Sequence, residues 1–193
     1  MLYYFNFVQG SFFGETDANT KKACVEKLVP RALWWFRWGA MVTFLSGWLI
    51  IMMTLHSSPD LMYTTWGLII LVGAALGSLM WANVWFVIWP NQKIVIGMKP
   101  GDAAAAGAKA LLCSRTNVMF SVPMLFFMGA ARHLSLDATD ANVSGYFITM
   151  GVIIGALELN SLVGKIGYLK TVRGVITCGF ILAAVLYGVA GVS

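Results

Sequence analysis

The chain has 193 residues, of which 59% are hydrophobic and only 11% are charged, and its formal net charge is +5. A soluble globular domain carries about 25% charged residues, so this composition excludes a water-facing surface over most of the chain and indicates an integral membrane protein. The basic residues form short clusters at the ends of apolar segments, which argues against nucleic-acid binding. The three cysteines form no CxxC, CxxCH or Cys/His cluster, so nothing indicates disulfides, covalently attached haem or a thiolate zinc site.

Five segments are apolar enough and long enough to cross a bilayer, which takes about 20 helical residues. They are residues 33–55, 61–89, 111–131, 145–163 and 174–192. The third carries Arg115 and Asn117 in its first turns and spans if Arg115 reaches back to the headgroups. The sequence therefore predicts an all-α bundle of five transmembrane helices in a single domain.

Three shorter features adjoin these spans. Residues 2–13 are aromatic but too short to cross, and predict either a surface helix or, by preference, the inner end of a truncated further helix. Pro90 is expected to end the second span, because proline lacks the N–H that a helix interior needs. The alanine run within residues 99–109 predicts a short helix on the membrane surface.

The distribution of charge predicts the orientation. All Lys and Arg residues except Arg132 lie before the first span, between the second and third, or between the fourth and fifth, or within the adjoining turns. The other two connections carry Asp60, Asp137 and Asp140 instead. By the positive-inside rule the basic connections are cytoplasmic and the C-terminus is outside. Tryptophans mark the inner interface, at positions 34, 35, 38, 81, 85 and 89.

Glu158 is the only carboxylate inside a predicted span. An ionisable side chain at that depth suggests a functional site, because it is costly to bury in the membrane. It predicts either a proton relay or quinone contact, or a structural clamp to Arg115, Arg37 or Asn117 at similar depth. The clamp is favoured because a relay needs a second group. Asn83, Asn117 and Asn160 are expected to belong to the same polar network in the inner half of the membrane.

Two GxxxG patterns predict close helix packing, Gly73 with Gly77 in the second span and Gly151 with Gly155 in the fourth. Both are expected to serve packing within the chain, and the alternative is that one of them docks a partner subunit. The two histidines, His56 and His133, lie at the outer ends of spans. They predict either interfacial residues or, less favoured, axial ligands of haem b or ligands of copper.

Three segments together resemble the integral-membrane N-terminal domain of bacterial membrane-bound urate hydroxylase (urate oxidase). They are residues 35–38 (WFRW) running into 43–47 (TFLSG), residues 82–93 (ANVWFVIWPNQK) and residues 121–128 (SVPMLFFM). The resemblance covers about residues 1–133 and continues more weakly beyond them. It implies a membrane fold fragment tied to respiratory redox chemistry, in a family whose members carry more helices and a cytochrome c domain.

The chain also departs from that family. It has no CxxCH motif, and the family's opening helices have no counterpart beyond residues 2–13. Where the family carries a histidine near the start of the third span, this chain has residues 114–117 (SRTN), while His133 matches a family histidine at the end of that span. The catalytic assignment is therefore not expected to transfer.

These observations predict a non-catalytic subunit of a larger membrane redox complex, in contact with lipid and with other membrane subunits or a second copy of itself. The alternatives are an electron-transfer protein binding haem b through His133 and His56, and a proton-conducting or small-solute transport element centred on Glu158. The chain on its own is not expected to be an enzyme.

Overall fold

The computed structural model describes residues 1–134 and 143–192, and these residues are helical with no strand among them. Their α-helices are α1 (Gly10–Glu15), α2 (Ala18–Lys27), α3 (Val29–Ser57), α4 (Thr65–Ala82), α5 (Trp89–Val95), α6 (Ala103–His133), α7 (Val143–Val163) and α8 (Val172–Val192). Two π-helical segments cover Tyr4–Gln9 and Asn83–Ile88, and two 3₁₀ turns cover Pro59–Tyr63 and Gly167–Lys170. Asp137 and Asp140 lie outside the described residues.

The all-α fold with five membrane-capable helices is confirmed. The described residues contain five helices long and apolar enough to cross a membrane: Val29–Ser57, Thr65–Val95, Ala103–His133, Val143–Val163 and Val172–Ala190. The second comprises α4, a π-helical segment and α5 in one continuous rod. We call the end of the bundle where α3 and α6 begin and α5 ends the basic end. Its cytoplasmic location stays a prediction.

Two expected boundaries were wrong. The helix does not end at Pro90. This residue lies at the start of α5, directly after the π-helical segment, so its missing N–H falls at the junction of the two and the helix continues to Val95. The alanine run is not a separate surface helix. The Asp102 side chain accepts hydrogen bonds from the Ala104 and Ala105 amides at 2.8 and 3.1 Å, so it starts α6 and makes the alanines its first turns.

The central helix is α6. In an apolar stretch of 18 residues, 61% of α6 is buried inside the bundle, whereas only 6% of such a stretch of α3 is buried. The main apolar core forms where α4, α7 and α8 pack around α6, and it includes Leu76, Phe120 and Leu186. The helix α3 therefore lies at the periphery of the bundle, and α6 determines where the other helices sit.

The N-terminal residues run along α6. The Tyr3 hydroxyl is 2.7 Å from Ser121 Oγ, and Asn6 Nδ2 donates to Ser114 Oγ at 2.7 Å. Tyr3 thus meets Ser121, and Asn6, later in the chain, meets the earlier Ser114, so the N-terminal segment runs antiparallel to α6. The N-terminal residues therefore pack along α6, and the truncated further helix stays a prediction.

The helices α8 and α6 approach each other closely at Gly179. A Cβ added to Gly179 would lie 2.8 Å from Val122 Cγ2 and 3.2 Å from the Met119 carbonyl oxygen. Pro123 is inside α6 and has no N–H to donate to that carbonyl four residues earlier, so the oxygen is free to face α8. Gly179 permits this contact because it has no side chain.

The substitution Gly179→Ala should lower the free energy of unfolding by roughly 1–3 kcal/mol, because the new methyl group overpacks the contact with Val122 and Met119. The matched control is Gly188→Ala on the same helix, where an added Cβ meets nothing within 4 Å. That change should be neutral or stabilising, since alanine is the better helix former. Unfolding by SDS titration in mixed micelles measures both, and equal effects would contradict the assigned contact.

Candidate functional site

Four polar side chains meet between three helices at the level of the bundle interior. Asn83 Nδ2 donates to Asn117 Oδ1 at 2.9 Å and to Glu158 Oε2 at 3.0 Å. The Ser161 hydroxyl donates to Glu158 Oε1 at 3.1 Å, and Asn117 Nδ2 donates to the Met80 carbonyl at 2.9 Å. We call Asn83, Asn117, Glu158 and Ser161 the polar cluster. It joins the rod of α4 and α5 to α6 and α7.

The polar cluster is deeply placed and internally bonded. Asn83 and Asn117 are 2% and 1% exposed, and Ser161 is fully buried, whereas Glu158 is half-buried. Each oxygen of the carboxylate accepts one hydrogen bond, and both Asn side chains donate. In a bilayer an unsatisfied polar group costs several kcal/mol, so this pairing lets three helices carry polar residues at one depth.

Asn83 is the first residue of the π-helical segment Asn83–Ile88. Such segments insert one residue into a turn and occur frequently at functional sites, because they redirect side chains and free backbone carbonyls. The Met80 carbonyl, three residues before Asn83, is the one that receives Asn117. The irregular turn thus supplies one side chain and one backbone group to the same junction.

Cys113 borders the cluster and was not anticipated from the sequence. Its side chain is fully buried beside Ser161 and near Glu158. The signal that could have found it is its spacing from Asn117, since residues four apart share a face of a helix. The thiol fills the space next to the carboxylate on the side of the basic end.

Arg115 contacts the N-terminal segment, not the headgroups or Glu158 as the sequence had predicted. Its Nη2 donates to the Asn6 carbonyl at 3.1 Å, and its guanidinium lies 5.8 Å from the centre of the Phe7 ring. The side chain is only 9% exposed, so it neither reaches out to the headgroups nor pairs with Glu158. The N-terminal segment covers it because Tyr3, Asn6 and Phe7 pack on this face of α6.

Arg37 also lies apart from the polar cluster. The carbon of its guanidinium is 3.6 Å from the centre of the Trp89 ring and 5.6 Å from that of Trp85. Cation–π contact with an indole replaces the expected pairing with Glu158. The structure thus joins three of the six residues predicted for the polar network and places both arginines in other surroundings. Asn160 was wrongly predicted for it, because its side chain is exposed and bonds only the backbone of Lys165.

The histidines are at the far end of the bundle from the basic end. His56 lies in the last turn of α3 and His133 is the last residue of α6, and both side chains are exposed. Among the described residues, no group of three or more His, Cys, Asp and Glu side chains could hold a metal ion. No contact joins these two residues to each other or to the polar cluster, so a haem role stays a prediction.

An apolar cavity of about 430 Å³ opens between α3 and α4. Its wall includes Gly39 and Gly47 of α3, Ser78 of α4 and, at its inner side, Asn117 of α6. Trp48 Nε1 donates to Ser78 Oγ at 3.1 Å and so connects the two helices that flank the opening. The polar cluster therefore has one member, Asn117, that reaches a cavity.

The two glycine pairs differ in their surroundings. A Cβ added at Gly73 would lie 3.1 Å from Met128 Cγ, and one at Gly77 would lie 3.5 Å from Met124 Sδ, so α6 covers this pair. At Gly151 and Gly155 an added Cβ would meet no atom of the described residues within 4 Å. The first pair packs within the chain, and the second faces outward.

Comparison with known proteins gives one result. The model of the family described as "Urate oxidase N-terminal" matches residues 59–185, which is more than half of the chain. The chain belongs to the urate oxidase N-terminal family. No curated protein and no solved structure matches it.

The matched region of this urate oxidase N-terminal protein contains the whole polar cluster, Cys113 and both glycine pairs. It extends further towards the C-terminus than the three motifs that carry the resemblance, and it leaves out Arg37 and His56. Membership therefore applies to the part of the fold that α4 to α8 form.

Replacing Asn83 tests the polar cluster. Asn83→Ala should lower the free energy of unfolding by about 1–2 kcal/mol, because Glu158 and Asn117 each lose a donor in a site without water. Glu158→Gln should stay within about 0.5 kcal/mol of the wild type, since an amide oxygen still accepts from Asn83. SDS titration in mixed micelles measures both changes.

The control is Asn160→Ala, because Asn160 is exposed and makes only long hydrogen bonds of 3.3 Å to the backbone of Lys165. Asn160→Ala should lower the free energy of unfolding only slightly. If Asn83→Ala were no more harmful than this control, the cluster would not hold the three helices together.

Proposed function

We propose that this protein is a non-catalytic subunit of a larger membrane complex with a redox role, and that α7 is the helix that contacts a neighbouring subunit. The observation that carries the proposal is the uncovered pair Gly151 and Gly155. The pair Gly73 and Gly77 has the same spacing, but α6 packs against it. The chain therefore contains one glycine pair that its own helices cover and one that no described residue covers.

The uncovered pair belongs to a continuous helix face. Exposed residues of α7 recur at the spacing of one helical face, namely Ile148 (66% exposed), Gly151, Val152 (65%), Gly155 and Leu159 (60%). Two glycines flanked by aliphatic side chains form a shallow groove that fits a second helix. Lipid supplies no hydrophobic drive for association, so close backbone approach at such grooves is the main source of attraction between membrane helices.

The opposite face of α7 is already occupied. Tyr146, Met150, Ile154 and Ser161 are buried against the rest of the bundle. The glycine face therefore points away from the protein and is free for another membrane subunit. The redox character of the complex is inferred from the family, whose description names urate oxidase. Its location in a bacterial inner membrane is inferred from the resemblance to the bacterial urate hydroxylase domain, and the basic connections supply only the cytoplasmic side.

The double substitution Gly151→Leu with Gly155→Leu tests the proposal, because two leucines would fill the groove without touching the chain's own core. After extraction from the native membrane in a mild detergent, the wild type should run in a particle larger than one chain with its micelle. The variant should run as the smaller particle on a native gel, with unchanged helical circular dichroism.

The matched control is Gly188→Leu, which adds the same bulk at an open position of α8. It should leave the large particle intact. A wild type that runs as a single chain after mild extraction would contradict the proposal, and a particle whose mass is a multiple of this chain alone would replace it with self-association.

A second candidate is a proton-conducting or small-solute transport element centred on Glu158. The observation that favours it is the cavity between α3 and α4, which reaches Asn117 and thereby a chain of hydrogen bonds to the carboxylate. Membrane carboxylates commonly serve proton relays.

Flux through liposomes distinguishes this candidate. Glu158→Gln keeps the acceptor for Asn83 but cannot exchange a proton at neutral pH, so a proton current carried by the wild type should fall at least tenfold, to the level of protein-free liposomes. Asn160→Ala should carry the wild-type current. A current that survives Glu158→Gln would eliminate Glu158 as the relay.

A further inference from the structure

Two cations converge on one indole ring at the basic end. The Arg37 guanidinium carbon lies 3.6 Å from the centre of the Trp89 ring, and Lys93 Nζ lies 5.4 Å from it. Trp89 and Lys93 are four residues apart and share a face of α5, whereas Arg37 comes from the first third of α3. The Trp89 ring therefore lies close to basic side chains from two helices.

A tight turn adds a third cation. The amides of Met98 and Lys99 both donate to the Lys93 carbonyl, at 2.8 and 3.1 Å, so the chain folds back over the end of α5. Gly97 has a φ of +76°, which favours glycine, and this makes the reversal possible. As a result the Lys99 ammonium lies close enough to Lys93 for the two to repel each other, and Arg37 contributes to the same repulsion.

These three cations have no carboxylate partner in the part of the chain that the structure describes. There, Lys22 with Glu26 is the only ion pair within 4 Å. The acidic residue nearest in sequence, Asp102, accepts from the amides of Ala104 and Ala105 through Oδ1 and makes no ion pair with Lys99 within 4 Å. Arg37 Nε is buried without a hydrogen-bond partner. Like charges held together in this way are stabilised by an anion that binds all of them.

We propose that Arg37, Lys93 and Lys99 form a binding site for a phosphate group, that of an anionic phospholipid such as phosphatidylglycerol. The two unesterified oxygens of this phosphodiester share one negative charge and can accept hydrogen bonds from all three side chains, and a guanidinium suits phosphate through paired N–H donors. Trp89 places the site at headgroup level, where indole rings prefer to lie. The exposed ring of Trp38 lies nearby, 5.6 Å from the ring of Trp85. Basic pockets between membrane helices bind lipid phosphates in this way.

The purified full-length chain in detergent tests the site, with phosphatidylglycerol, phosphatidylcholine and inorganic phosphate as probes. Native mass spectrometry should find one phosphatidylglycerol retained by the wild type and none of the phosphatidylcholine. Each lysine near a membrane surface contributes enough attraction that Lys99→Gln should weaken binding about fivefold, and Lys93→Gln with Lys99→Gln about 25-fold. Lys99 is exposed, so its single substitution leaves the fold intact.

The matched control is Lys165→Gln with Lys170→Gln, which removes the same charge from the basic end but away from Trp89. It should retain the lipid with wild-type affinity. If inorganic phosphate protects the wild type from thermal unfolding as well as the lipid does, and the Lys93/Lys99 variant loses that protection, the phosphate comes from solution and the site stands. Equal affinity in the Lys93/Lys99 variant and the wild type would overturn the proposal, as would an equal loss in the control.

Discussion

A primary amide has two N–H donors, and Asn83 uses its amide to bond two other helices at once, through Asn117 and Glu158. The consequence is clearest for α7, which packs loosely. A second hydrogen bond runs from the Tyr146 hydroxyl to the Leu68 carbonyl at 3.2 Å. Tyr146 and Glu158 are separated by 12 residues, about 18 Å along a helix, so α7 is tied to the second span near both of its ends. Two such ties determine both its tilt and its rotation.

Rotation of α7 decides what the protein presents to its surroundings. With Tyr146 and Ser161 buried, the face carrying Gly151 and Gly155 can only point outward. The polar cluster and the open glycine face are thus linked, because the hydrogen bonds that hold α7 inside also expose its close-packing surface. A bundle held only by apolar side chains would leave α7 free to turn, since lipid tails cover aliphatic faces as well as protein does.

Hydropathy and charge were sufficient to predict the spans, because the cost of polar groups in hydrocarbon acts on the sequence directly. The shared depth of Asn83, Asn117 and Glu158 was also readable from their distances to the span ends. The contact partners of individual residues could not be read from the sequence. Gly73 and Gly151 begin identical patterns, and only the neighbouring helix distinguishes them. The Arg115 side chain meets the Asn6 carbonyl, 109 residues away, which depends on how an N-terminal segment packs on α6.

The second span also shows why local irregularity matters for function. A π-helical segment precedes Pro90, and the helix continues through the proline to Lys93. Had it ended at Trp89, no helical turn would hold Lys93 over the indole ring, and no reversal at Gly97 would return Lys99 to the same place. Asn83 meanwhile points into the bundle from the start of the same segment. One stretch of 11 residues thus carries an interior tie and a cationic outer surface on different faces, so stability and lipid contact can be altered separately.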